Sequence, residues 1–235
     1  MTLLNKVIEP RWERRKDARP GELTAAALEL FVEKGFAATR LEDVAKRAGV
    51  SKGTLYLYFE SKEELFKAVV REGIAAKLGE AEELIDTFRG TSADLLREIL
   101  HRWWLELGAT RLAGITKLMM AEAGNFPELA RFYHEEVIQR ANAMLSCAMK
   151  RGIASGEFRE INLEYAARIC CAPMVMLLLW RHSFGPCAAE HIDPGVYVET
   201  HIDMLIHSLR ASGASESANG PFEEAAAGQG ICFLI

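Results

Sequence analysis

Apolar residues recur at helical intervals along almost the whole chain, and no segment sustains an alternation of apolar and polar positions. Leu23, Ala27, Leu30 and Phe31 make the inward stripe of a first helix, which should stop at Gly35. Leu41, Val44, Ala45 and Ala48 fall at i, i+3, i+4 and i+7, one face of a short second helix. Thr39-Arg40-Leu41-Glu42 reads as the capping box that opens it, and Gly49 supplies the positive φ that ends it. Ser51 offers an N-cap for a third helix too short to fold alone. Ser61-Lys62-Glu63-Glu64 is a second capping box, for a fourth helix with Leu65, Phe66, Val69 and Val70 inward that continues to about Thr87. Two brief helices around a glycine turn, clamped by flanking helices, predict a helix-turn-helix.

The pattern stays helical beyond it. Thr91-x-x-Asp94 caps a helix carrying Leu95, Leu96, Ile99, Leu100, Trp103, Trp104 and Leu107, ended near Gly108. A helix around Ile115 to Ala123 stops at Gly124-Asn125, and a long one follows Pro127 to about Ser155. Another spans Leu163 to Ser183. The last starts near Pro194, with Val198, Ile202, Leu205, Ile206 and Leu209 on one stripe. The fold class expected is all-α. Ile169 to Trp180 is apolar on every face and must be covered on more than one side. Together with the clean stripe of the last helix, it suggests a four-helix interface in a homodimer.

The third helix has the chemistry that DNA contact needs. Ser51, Lys52, Gly53 and Thr54 put hydroxyls, an ammonium and free amides at the positive end of a helix dipole, with Gly53 removing bulk where a backbone must come close. Tyr56 and Tyr58 can present hydroxyls to phosphates, whereas Leu55 and Phe59 face inward. Residues 39–62 hold five basic side chains against three acidic ones. The chain as a whole carries a net charge of −5, but residues 1–70 are net +2, so the acidity sits away from the DNA-reading end.

These residues carry a resemblance. Pro20, Ala26-Ala27, Leu30-Phe31, Gly35, Thr39, Ala48-Gly49-Val50-Ser51, Gly53-Thr54-Leu55-Tyr56, Tyr58-Phe59 and Lys62-Glu63 are matched at fixed spacing to the DNA-binding domain of TetR-family transcriptional regulators, which the segment resembles. The resemblance implies an N-terminal three-helix helix-turn-helix domain and a C-terminal helical domain that binds a small effector and dimerises. It implies a ligand-responsive repressor that binds double-stranded DNA at a palindromic operator. Thr39, Arg40, Tyr56, Tyr58 and Lys62 would then sit on phosphates, with Ser51, Lys52 and Thr54 near base edges and Gly53 at the close approach. It also implies an effector cavity, for which the large soft side chains Trp103, Trp104, Met119, Phe126, Met144 and Met174 are the candidates, against the plainer reading of an ordinary core. A DNA binder answering to a protein partner, with no small effector, is the alternative.

The division expected is a basic arm over 1–19, a DNA-binding domain over 20–68, an effector and dimerisation domain over 69–210, and a disordered tail over 211–235. Five cysteines without metal or redox spacing fit a reducing cytoplasm. No basic segment followed by an apolar stretch opens the chain, so no signal peptide is expected, and the twelve-residue apolar run is short of a membrane span. No cofactor or metal is expected: His182, Cys187 and His191 fit no established ligand spacing. Adjacent Cys170 and Cys171 point about 100° apart, which disfavours a thiol pair. No catalytic triad, carboxylate pair or phosphate-binding glycine loop argues for an enzyme. Cys232 to Ile235 fits a prenylation pattern only formally.

Overall fold

The structure, a computed structural model, describes residues 19–189 and 191–211. The expected arm, apart from Arg19, and the expected tail beyond Ala211, including the C-terminal Cys232, lie outside the described residues.

The described chain is helical. α1 (Arg19–Ala38) carries a break at Gly35, whose φ of 80° no helix adopts, where the stripe of Leu23, Ala27, Leu30 and Phe31 ends. α2 (Leu41–Arg47) closes in a Schellman turn: Val50 N–H donates to Ala45 O at 2.9 Å, Gly49 N–H donates to Lys46 O at 3.2 Å, and Gly49 takes φ 68°. α3 (Lys52–Tyr56) begins where Ser51 Oγ accepts the Thr54 amide at 3.1 Å. α4 (Lys62–Val70) is capped in the same way by Ser61.

The expected capping box at Thr39 does not form. Thr39 is buried, and its hydroxyl donates to Gly35 O at 2.7 Å and Leu30 O at 3.2 Å. The hydroxyl is thus turned back onto carbonyls of α1 and is not available to cap α2. Arg40 is the N-cap of α2 instead, with no side-chain bond to the helix.

α4 runs through a π-helical turn, Arg71–Ala75, straight into α5 (Ala76–Thr87), giving the continuous helix expected from 62 to 87. α6 (Ser92–Trp103) is capped by Thr91 and likewise ends in a π turn, Trp104–Gly108. After α7 (Ala113–Glu122), α8 (Pro127–Tyr133) passes through a third π turn, His134–Gln139, into α9 (Arg140–Ala154). α10 (Leu163–Ser183) and α11 (Pro194–Leu209) complete the chain. An isolated antiparallel bridge, Phe158 with Arg210, ties the end of α11 to the segment after α9.

α1 packs on α2, α4 and α7, and α2 packs on α3. Phe31, Phe36 and Phe66 form the aromatic centre of this head, with ring centroids 5.4–5.6 Å apart. The rest is built around α9, which contacts α5, α6 and α10, while α11 lies on α6 and α10. α10 is long and apolar enough by length and composition to cross a membrane, a broader test than the uninterrupted run considered above. Only 28% of its most apolar window is buried, so much of the helix faces outward from this chain.

Candidate functional site

The helix-turn-helix presents one exposed end. Arg40, Ser51, Lys52 and Gly53 are exposed, Thr54 is half-buried, and Tyr56 and Tyr58 are exposed. Leu55 is fully buried and Phe59 nearly so, and these two fix the helix on its neighbours. Ser51 Oγ and Thr54 Oγ1 lie 2.8 Å apart. The Lys52 ammonium pairs with Glu42 and stands 5.7 Å from the centre of the Tyr56 ring. That hydrogen bond holds the Glu42 carboxyl below its ordinary value and raises Lys52 above its own, so both are charged at neutral pH. A phosphate approaching Lys52 must take it over from Glu42.

Two residues expected on this face have their polar groups held by the chain itself. Thr39 is turned inward, as described. Lys62 donates to Phe36 O at 2.7 Å and Ala37 O at 3.1 Å, and its ammonium lies 4.5 Å from the centre of the Phe36 ring. It caps the C-terminal end of α1, where a cation meets the free carbonyls of a helix.

Gly53 has open space around it, as Gly21 and Gly79 do in their helices. A β-carbon on Gly53 would meet only Ser51 Oγ, at 3.8 Å. At Gly73 a β-carbon would lie 2.5 Å from Leu112, and at Gly114 2.6 Å from Val32. The branched Val32 closes on Gly114, Gly73 meets only the mobile end of Leu112, and position 53 has room.

A cavity of about 410 Å³ opens in the larger helical unit. Its wall takes Trp103 from α6, Leu107 from the following π turn, and Thr116 and Met120 from α7. Tyr133, Val137, Ile138, Ala141 and Asn142 come from the α8–α9 rod, and Arg168, Cys171, Ala172, Val175, Met176 and Leu179 from α10. Two of the three π turns therefore border it, as such turns often do at functional sites. The lining is overwhelmingly apolar. Burial pushes the Cys171 thiol up to about 11, so it faces the cavity as an uncharged, small apolar group.

Of the six residues singled out for this role, Trp103 lines the cavity. Met144 and Met174 line a small adjoining void that shares Trp103, Ala141 and Cys171 with it. Trp104 is buried against Gly108, and Met119 is buried in the core without lining the cavity. Phe126 reaches out of the larger unit to the head, its ring 4.7 Å from that of Phe36. Thr116, Tyr133 and Asn142 were not foreseen. The available signal was polar residues inside apolar helical stretches, as with Thr116 between Ile115 and Leu118.

Comparison with known proteins agrees with this architecture. Residues 23–69 match the family model described as "Bacterial regulatory proteins, tetR family", and residues 88–193 match "Tetracyclin repressor-like, C-terminal domain". The HTH-type transcriptional repressor KstR2 of Mycolicibacterium smegmatis is 25% identical over 177 residues, covering 74% of this chain and 85% of that protein. The fatty acid metabolism regulator protein of Bacillus subtilis is 29% identical over 147 residues, 62% of this chain and 74% of that one. The crystal structure of the transcriptional regulator FadR from Bacillus subtilis, in complex with stearoyl-CoA, aligns with a TM-score of 0.69 at 22% identity, covering 81% of this chain and 99% of that one. The two matched segments together span the helix-turn-helix and most of the helical unit behind it, and the chain belongs to the TetR family of transcriptional regulators.

Proposed function

We propose that the chain is a repressor that binds a palindromic operator as a homodimer and is released when a small, largely apolar effector fills the cavity. In this reading residues 20–68 read DNA, and residues 69–210 hold the effector and the dimer contact. The observation that carries it is the reach of α7. One end of that helix packs Gly114 against Val32 of the head, and Thr116 and Met120 of the same helix line the cavity. A ligand that reshapes the wall thus acts on the element that seats the head. It releases DNA only in so far as it prefers the seating that does not fit the operator.

The DNA face rests on Gly53 and its surroundings. Gly53 is exposed and leaves open space at the start of α3, beside Ser51 and Lys52, so a DNA backbone can come close there. Arg40, Tyr56 and Tyr58 are assigned to phosphates, and Ser51, Lys52 and Thr54 to the groove. Thr39 and Lys62 are reassigned to holding the head together.

The dimer rests on an exposed apolar stripe. Tyr165 and Ile169 on α10 continue at helical spacing into Ala172 and Met176, which also border the cavity, and Val196, Thr200 and Met204 follow one another on α11. Ile169 and Met204 are 66% and 69% exposed in the single subunit, which is more apolar surface than one stripe leaves to water without reason. The stearoyl-CoA in the Bacillus subtilis FadR structure carries a long apolar acyl chain on a charged head, and the acyl part supports an apolar moiety in an effector for a chain of this fold.

The test is a gel-shift titration of genomic duplexes recovered with the purified protein. Lys52→Ala and Tyr56→Ala, both at exposed positions, should lose sequence-specific retention while the protein remains folded. Unchanged retention by both would overturn the assignment of this face. Retention that no apolar compound relieves would favour control by a protein partner.

A further inference from the structure

The cavity wall contains one deeply placed polar feature, and it is incomplete. Thr116 and Tyr133 are 8% and 5% exposed, and their hydroxyl oxygens lie 2.8 Å apart, hydrogen-bonded to each other. Two hydroxyls own two hydrogens, and the bond between them uses one. Among the described residues neither oxygen has another partner. Whichever of the two donates, a second O–H is left without an acceptor in an apolar wall, where an unmet polar group is costly. The other polar members of the lining differ. Asn142 is half-buried and Arg168 is exposed, and Arg168 already pairs with Glu164, so water can serve both. Burial pushes the Tyr133 phenol up to about 12, against the smaller opposing effect of Thr116, so it keeps its proton.

We propose that the effector carries a neutral oxygen acceptor, of the ketone, ester, thioester or alcohol class, which takes the hydrogen left over by the Thr116–Tyr133 pair. The rest of the molecule is apolar and fills the remaining wall. This rests on the cavity being the effector site. The contact makes Thr116 and Tyr133 the residues that decide which apolar molecules are selected, because a ligand without the oxygen leaves the buried donor unmet. It also puts the ligand on α7 two residues from Gly114, the point where that helix meets the head.

The test uses 2-decanone and decane, molecules of matched length that differ in the oxygen, with the full chain. Binding is read by thermal shift and by tryptophan fluorescence, since Trp103 lines the cavity. The ketone should bind about tenfold tighter than the alkane, the ratio expected for one buried hydrogen bond. Thr116→Val and Tyr133→Phe each leave one hydroxyl with its hydrogen unused, so each single variant should keep the preference. The double variant should lose it while decane binds as before, and that retained binding shows that the variant is folded. If the double variant fails to fold, the carbonyl stretch of 2-decanone on the unmodified protein decides, because a hydrogen-bonded ketone absorbs at lower frequency than the same ketone in hexane. Equal binding of the two probes, a preference that survives in the double variant, or an unshifted carbonyl band would overturn the proposal and leave the cavity reading standing. Binding of neither probe would contradict the cavity reading itself.

Discussion

Gly114 of α7 and Val32 of α1 meet so closely that a β-carbon on the glycine would lie 2.6 Å from one valine methyl and 2.8 Å from the other. The contact joins the helix that lines the cavity to the helix on which the DNA-binding head is built. Valine is branched at the β-carbon and has little rotational freedom with which to yield. Gly114→Ala should therefore lower stability by about 1–3 kcal/mol, the range for overpacking a tight contact. Operator affinity should fall with it as the head is reseated. Adding Val32→Ala should recover much of both losses. Denaturant unfolding and operator titration of the two single variants and the double variant would measure the coupling, and strictly additive effects would show that the contact transmits nothing.

Gly53 allows the fold to be separated from the DNA contact. A methyl group at 53 has room, and alanine is the better helix former, so Gly53→Ala should leave stability unchanged or raise it by up to about 1 kcal/mol. Operator affinity should nevertheless drop at least tenfold, as expected if a DNA backbone closes on this position. A thermal melt and an anisotropy titration of one variant suffice. Wild-type affinity in a protein of raised stability would mean that DNA does not approach here.

The dimer proposed on the exposed stripe of α10 and α11 can be tested by placing charge in it. Ile169→Glu and Met204→Glu introduce charges at positions already exposed in the single subunit, so the helical content of each chain should persist. Sedimentation should show monomers, because a carboxylate in the middle of an apolar interface must be buried without a partner. Affinity for a two-half-site operator should fall by about a hundredfold or more, since the second head no longer binds from high effective concentration. Dimers that persist in both variants would place the contact elsewhere.

Glu157 makes one part of the stability depend on pH. Its carboxylate accepts the Ser92 amide at 2.6 Å, the Ser92 hydroxyl at 3.1 Å, the Ala93 amide at 3.3 Å and the Ser155 hydroxyl at 2.9 Å, at the positive end of α6. Burial pushes its pKa up, but these donors outweigh burial and hold it below the ordinary value of 4.5. A carboxyl lowered in the folded state contributes stability that is present above its unfolded pKa and lost as pH falls through its folded one. Glu157→Gln should cost about 0.3–1 kcal/mol at neutral pH, the scale of a charge at a helix terminus, and that loss should shrink on acidification. Urea unfolding of both proteins at neutral and acid pH would show it. A penalty that stays constant with pH would assign Glu157 a neutral role.

The helices were legible in the sequence because each needed only a stripe and an end signal. Gly35, Gly49, Ser51, Ser61 and Thr91 mark their ends in the structure as their residue types suggest. Where the side chains are held differently, the cause is competition that a linear pattern cannot show. Thr39-x-x-Glu42 and Ser61-x-x-Glu64 have equivalent sequence patterns, yet the Thr39 hydroxyl is held by carbonyls of α1 while Ser61 accepts the Glu64 amide. Lys62 counts as one more cation near the DNA-reading end, but two carbonyls of α1 hold its ammonium. Phe126 belongs by position to the larger helical unit, and only the folded chain brings its ring to Phe36. The cavity was the least legible feature. Two π turns, Trp104–Gly108 and His134–Gln139, border it, and no residue type in these stretches signals where the extra residue enters the helix.

The most direct measurement is selection and sequencing of the genomic duplexes that the purified protein binds at moderate salt. The account predicts a single shared palindrome, with half-site centres about 34–36 Å apart or a multiple of that, as two heads on one two-fold axis require. The motif should disappear when the selection is repeated with Tyr56→Ala. A set of fragments with no shared motif, even after the protein has been unfolded and refolded free of any carried ligand, would contradict the claim that this chain reads an operator.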